Sequence, residues 1–208
     1  MSDVRHPGLN LGTTDSPVHD AAEETVFGFW VLMMSDLALF AVLFATYAAM
    51  SVHGIAGGPA PVEIFDLKST LWQTLALLAS SFTFGMAALA LKYDDDRRAL
   101  SLWLGATFVL GALFLGLEAR DWARMVTEHG ATPQVSGFLS IFYLLTGTHF
   151  VHVAAGLLWM LVMAAQLAIF GLDGAVKLRL MRLAIYWHLL DVVWVAIFSF
   201  VFLSGLAP

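Results

Sequence analysis

The sequence predicts an all-α membrane protein, a bundle of five transmembrane helices. Hydrophobic residues make up 60% of the chain and charged residues only 12%, about half the charged share of a soluble domain. The apolar residues are grouped into runs of roughly 20 residues, the length of helix that a bilayer core about 30 Å thick requires. Only helices and closed barrels satisfy their backbone groups in lipid, and these runs lack the alternation of barrel strands.

The apolar runs define the order of the elements. They lie at about residues 26–50, 69–91, 99–117, 137–170 and 183–206. Residues 1–24 are polar and contain several prolines and glycines, so we expect a mobile N-terminal tail ahead of a membrane domain at residues 25–208. The tail lacks the basic and apolar segments of a cleaved signal peptide, so the first span is expected to direct insertion.

The distribution of basic residues predicts the orientation of the chain. Three basic residues fall in the first and third linkers, Lys68, Arg120 and Arg124. Seven fall in the tail and in the second and fourth linkers: Arg5, Lys92, Arg97, Arg98, Lys177, Arg179 and Arg182. Because basic residues accumulate on the cytoplasmic side, we expect a cytoplasmic N-terminus and a periplasmic C-terminus.

Composition also excludes several kinds of function. The net charge of −6 argues against a nucleic acid partner. The chain has no cysteine, which excludes disulfides, iron–sulfur clusters and thiolate metal sites. It contains no phosphate-binding loop, no serine nucleophile elbow and no HExxH zinc motif.

The candidate functional residues are ionisable side chains within the spans, where each costs at least about 2.5 kcal/mol to insert unless it has a partner or a purpose. At 1.5 Å of rise per residue, all of them fall in the cytoplasmic half of the membrane. We therefore predict one buried polar cluster between the first, fourth and fifth spans, made of Asp36, His149, His152, His188 and Asp191.

Three roles for this cluster are open. The side chains could hold the helices in register through hydrogen bonds, or they could handle protons or contact lipid headgroups. Three imidazoles and two carboxylates could also ligate a metal ion or haem. A histidine pair three residues apart is a weak metal signal, so the sequence assigns no catalytic, cofactor-binding or metal-ligating residue.

Small residues spaced four apart indicate where helices could approach closely. Ser81 and Gly85 form such a pair in the second span, and Ala112 and Gly116 form one in the third.

The polar residues lie within sequence segments, here called phrases, that resemble subunit III of haem–copper terminal oxidases. In chain order the phrases are FGFWVLMMSDLALFAVLFATYA, TLALLASSFTFGMAALAL, GTHFVHVAAGLLWM and YWHLLDVVWVAIFSFVFLSG. The resemblance covers residues 26–206. Asp36 falls where that family has a membrane-buried carboxylate, usually Glu, and the other four cluster residues match the family's phrases residue for residue.

The resemblance implies a multi-pass protein of the bacterial inner membrane that binds no cofactor itself. It would stabilise subunit I and support its proton uptake, and subunit I would carry haem and copper, reduce oxygen and pump protons. Its other partners would be further oxidase subunits and membrane phospholipids. The five-span form and the GGP loop after the first span most resemble cytochrome bo-type ubiquinol oxidases. Subunit III of a cytochrome c oxidase is the alternative within the family. A small free-standing membrane metalloenzyme and a small transporter are the alternatives from other classes.

Overall fold

The computed structural model describes residues 16–54, 58–59, 61–91 and 97–205. The described residues form helices and connecting turns and contain no strand. The helices are α1 (Ser16–His53), α2 (Pro61–Ile64), α3 (Leu67–Leu89), α4 (Arg97–His129), α5 (Gly137–Phe170) and α6 (Gly174–Ile197), and a π-helical turn (Phe198–Leu203) continues α6.

Five of these helices are long and apolar enough to cross a membrane, which confirms the all-α class and the five spans. They are α1, α3, α4, α5 and α6 with its π-helical turn, and each overlaps one of the predicted apolar runs. The remaining helix, α2, is a single turn of four residues between the first two spans.

Short polar side chains cap the N-termini of three of the long helices. The carboxylate of Asp66 accepts hydrogen bonds from the backbone N–H groups of Lys68 and Ser69 at the start of α3. Ser136 and Asp173 cap α5 and α6 in the same way. These oxygens satisfy N–H groups that have no partner within their helix.

Three helices extend beyond the apolar runs. Residues 16–24, expected in the tail, are the first turns of α1, while residues 1–15 lie outside the described part of the chain. The predicted third linker begins at Glu118, but α4 continues to His129 because its charged side chains find partners on α3. Likewise α6 begins at Gly174 and includes the basic residues expected in the fourth linker. The second linker, residues 92–96, is not described.

The packing leaves α1 on one side of the bundle, against α5 and α6. It contacts them through a narrow stripe of three buried residues seven apart, Met33, Phe40 and Tyr47. Only 11% of the most apolar stretch of α1 is buried, whereas the corresponding stretch of α6 is 50% buried. The central helix is therefore α6, and α1 is the span whose most apolar stretch is least buried.

Candidate functional site

Asp36 and His152 face each other across the contact between α1 and α5. The Oδ2 atom of Asp36 lies 4.0 Å from Nε2 of His152, and the two side chains remain 31% and 23% exposed. The ring of Phe40, one turn after Asp36, lies 5.4 Å from the imidazole of His152. This pair is thus an incompletely covered polar group near the middle of two apolar helices.

The hydrogen bonding of His152 determines which nitrogen faces Asp36. Its Nδ1 atom lies 2.7 Å from the carbonyl oxygen of Thr148, and a carbonyl only accepts, so Nδ1 carries a hydrogen. Nε2, the ring nitrogen that carries no hydrogen in the neutral ring, therefore faces Asp36.

His149 occupies a different environment, one helical turn before His152. It is fully buried, and both ring nitrogens lack a hydrogen-bond partner among the described residues. Its ring stacks on Trp194 at 5.3 Å and meets the edge of Phe114 at 5.8 Å. His149 is held by aromatic packing between α4, α5 and α6.

His188 and Asp191 lie at the contact between α6 and α3. Nδ1 of His188 is 2.7 Å from the hydroxyl of Ser81, which also lies beside Asp191. A serine hydroxyl has one proton to donate. If it donates to Asp191, then Nδ1 of His188 must donate to Ser81, so the three groups form one connected polar arrangement.

The same contact between α3 and α6 carries two further hydrogen bonds from indoles. Nε1 of Trp187 donates to the hydroxyl of Ser80 at 3.1 Å. Nε1 of Trp194 donates to the hydroxyl of Thr74 at 3.1 Å. Buried polar atoms that are hydrogen-bonded across helices fix the register of the two elements.

The structure divides the five predicted residues between two helix contacts. Asp36 and His152 lie between α1 and α5, with His149 on the inner side of α5, whereas His188 and Asp191 face α3. No hydrogen bond or ion pair between these two sets was found in the part of the chain that the structure describes. Among those residues, no three His, Asp or Glu side chains are placed to hold a metal ion.

Glu118 of α4 is a buried carboxylate outside the predicted cluster and is only 3% exposed. The sequence pattern places it in the third linker, because Arg120 and Asp121 follow closely and end the apolar run. Helical periodicity continued past Leu117 would have found it, since Phe114, Glu118 and Met125 fall on one buried face of α4.

Comparison with known proteins identifies the family of the chain. The family described as cytochrome c oxidase subunit III matches residues 2–206. Subunit 3 of the cytochrome bo(3) ubiquinol oxidase of Pseudomonas aeruginosa is 45% identical over 195 residues, 94% of this chain and 92% of that protein. The corresponding subunit of Buchnera aphidicola is 39% identical over 181 residues, 87% of this chain and 92% of that protein. A probable quinol oxidase subunit 3 of Staphylococcus epidermidis is 36% identical over 197 residues, 95% of this chain and 96% of that protein.

Proposed function

Because the chain belongs to the cytochrome c oxidase subunit III family, we propose that it supports subunit I of a ubiquinol oxidase without a catalytic site of its own. It is a multi-pass membrane protein and a terminal oxidase subunit III, and the metalloenzyme and transporter alternatives are not favoured. We propose ubiquinol as the electron donor because the similar proteins of two bacteria are named ubiquinol oxidase subunits.

This proposal rests on the face of α1 that no other helix of the described chain covers. Asp36 and His152 are about a quarter to a third exposed near the middle of the membrane. Contact of such polar side chains with lipid is unfavourable, and burial against another protein subunit removes that contact. The surrounding surface is apolar, with Val31, Leu32 and Leu39 each about half exposed. We therefore assign this face to the contact with subunit I, where Asp36 and His152 would be covered.

The three histidines of the predicted cluster do not form a site for haem or copper. His149 is enclosed by aromatic rings, His152 is directed at Asp36, and His188 is bonded to Ser81. The three imidazoles therefore point to three different surroundings and do not converge on one centre. Haem and copper accordingly belong to subunit I in this proposal, and this chain contributes packing and the polar pair of Asp36 and His152.

The proposed location is the bacterial inner membrane, with the N-terminus in the cytoplasm. The seven-to-three distribution of basic residues supports this orientation. Other oxidase subunits and phospholipids would cover the remaining apolar faces.

Photo-crosslinking tests the contact with subunit I. The photoreactive residue benzoylphenylalanine replaces Leu39 on α1, which is 47% exposed. In the matched control it replaces Leu113 on α4, which is 50% exposed. We expect irradiation of the assembled oxidase to join position 39, and not position 113, to subunit I. Crosslinking to subunit I from position 113 alone would contradict the assignment of the face, and failure to copurify with any oxidase subunit would contradict the function.

A further inference from the structure

A small cavity lies at the end of the bundle where α3 begins and α4 ends, remote from Asp36 and His188. Its volume is about 40 Å³. The exposed side chains of Asp66, Arg124 and His129 line its outer part, and buried residues line its inner part, among them Gln73, Glu118 and Met125. The cavity therefore extends from the membrane surface toward a buried carboxyl group.

Three buried polar atoms at this cavity have no partner in the described part of the chain. They are Oε1 of Gln73, Oε1 of Glu118 and Nε1 of Trp122. Gln73 and Glu118 are only 1% and 3% exposed. Leaving such a group unsatisfied in a buried site is costly, so a ligand that satisfies all three would be favoured.

The neighbouring side chains explain why these atoms are free to bind a ligand. The amide nitrogen of Gln73 donates to Asp121 at 2.8 Å, which leaves Oε1 as the remaining polar atom of that side chain. Asp121 is itself paired with Arg120 at 3.0 Å and bonded to Ser69. Glu118 and Trp122 are four residues apart on α4 and so share a face, where the indole N–H lies near the carboxyl group without completing a hydrogen bond to Oε1. The charges around the cavity are therefore already paired, apart from the carboxyl group of Glu118.

The chemistry of the three atoms selects the ligand. Two are oxygens that accept hydrogen bonds, and the third is an indole N–H that only donates. A water molecule donates two hydrogen bonds and accepts others, so it complements this set. A metal cation would bind the oxygens but would be repelled by the indole N–H. One water needs about 10–15 Å³ of such space, so the cavity of about 40 Å³ has room for about three or four.

We propose that this cavity is a water-binding site, in which ordered water bridges Gln73, Glu118 and Trp122 and hydrates a carboxyl group within the membrane domain. The site joins the start of α3 to the end of α4 through water in addition to the direct bonds of Asp121. It also connects Glu118 to the aqueous phase on the side of the membrane where α3 begins.

Hydroxyl-radical footprinting of the intact oxidase by X-ray irradiation tests this site, because radicals form from water where it is bound. Met125 lines the cavity and is 5% exposed, while Met163 on α5 is 1% exposed, does not line it and serves as the internal control. We expect Met125 to be oxidised several-fold faster than Met163. Equal oxidation rates in the wild-type complex would overturn the proposal, and this comparison requires no variant to fold.

Two further measurements identify what holds the water. In Glu118→Leu the oxidation of Met125 should fall toward the rate of Met163, and in Glu118→Gln, which keeps an accepting oxygen, it should remain high. Unchanged oxidation in Glu118→Leu would overturn the assignment of Glu118. Replacing sodium by choline in the buffer should have no effect, and oxidation of Met125 that depends on sodium would show a cation site instead.

Discussion

Trp187 of α6 lies so close to Gly111 of α4 that a methyl group at Gly111 would come within 2.8 Å of Cη2 of the indole. A methyl group at Gly156 of α5 would come within 3.0 Å of Cζ3 of the same ring. The indole thus packs closely against two glycines while its Nε1 bonds Ser80. One side chain therefore sets the distances of α4, α5 and α3 from α6.

This relationship predicts that Gly111→Ala destabilises the subunit by about 1–3 kcal/mol, the usual cost of overpacking. Gly116→Ala is the matched control on the same helix, because a methyl group there meets no described atom within 4 Å. The measurement is the midpoint of thermal dissociation of the purified oxidase. Equal midpoints for the two variants would show that Trp187 has room to move.

The glycines illustrate what the sequence could and could not predict. Spacing indicated close approach at Gly85 and Gly116, yet a methyl group at either would meet no described atom within 4 Å. The close approaches occur at Gly111 and Gly156, because the group that fills the space is an indole from a distant part of the chain. Local spacing carries no information about such a partner.

The spans were more predictable than their ends and their contacts. Long apolar runs leave the backbone no alternative to helix in a membrane, so the five spans followed from composition. The end of α4 did not, because Arg120 and Asp121 interrupt the apolar run but are satisfied by Ser69 and Gln73 of α3. Which polar residues meet also depends on helix rotation, and this places His188 beside Ser81 rather than beside Asp36.

His149 is predicted to contribute only by the packing of its ring, and not through hydrogen bonds or ligation by its nitrogens. Because both ring nitrogens are without a described partner, His149→Phe should retain normal turnover and stability close to wild type. His149→Ala should destabilise the subunit by about 2–4 kcal/mol through the space left between Phe114 and Trp194. Absorbance spectra should show unchanged haem per assembled complex in both variants. Loss of a haem at full subunit content would instead indicate ligation.

The hydroxyl of Ser81 is predicted to stabilise the contact between α3 and α6. Ser81→Ala leaves His188 and Asp191 without their shared partner and should cost about 0.5–2 kcal/mol. Ser199→Ala is the control, because that exposed hydroxyl bonds only the Val195 carbonyl of its own helix. Thermal midpoints of the two variants give the comparison. A larger loss for Ser199→Ala would contradict this role.

The orientation is tested by reporters fused after Pro208. A periplasmic C-terminus predicts an active alkaline phosphatase fusion, since that enzyme folds only outside the cytoplasm. A green fluorescent protein fusion at the same position should be dark. Bright cytoplasmic fluorescence would contradict the orientation that the basic residues predict.

Asp36 can be structural or can handle protons, and two substitutions separate these roles. Asn keeps a polar group that can bond Nε2 of His152 but cannot release a proton, whereas Leu removes both properties. If the group is structural, Asp36→Asn should be nearly silent. Asp36→Leu should then weaken the association of the subunit with subunit I by about 1–3 kcal/mol, because His152 loses its partner. Ser35→Ala is the neighbouring control, since that hydroxyl bonds the Val31 carbonyl of its own helix.

If Asp36 instead takes up and releases protons, Asn should be as damaging as Leu to sustained turnover while assembly remains intact. The measurement is steady-state oxygen consumption per assembled complex, from mildly acidic to alkaline pH. We expect the Asn enzyme to match wild type in initial rate. In our proposal oxygen is reduced in subunit I, and no residue of this chain takes part in that reaction. Any difference should then appear in how long activity lasts. An immediate collapse of the initial rate in Asp36→Asn would show that the carboxyl group acts in the proton supply to subunit I.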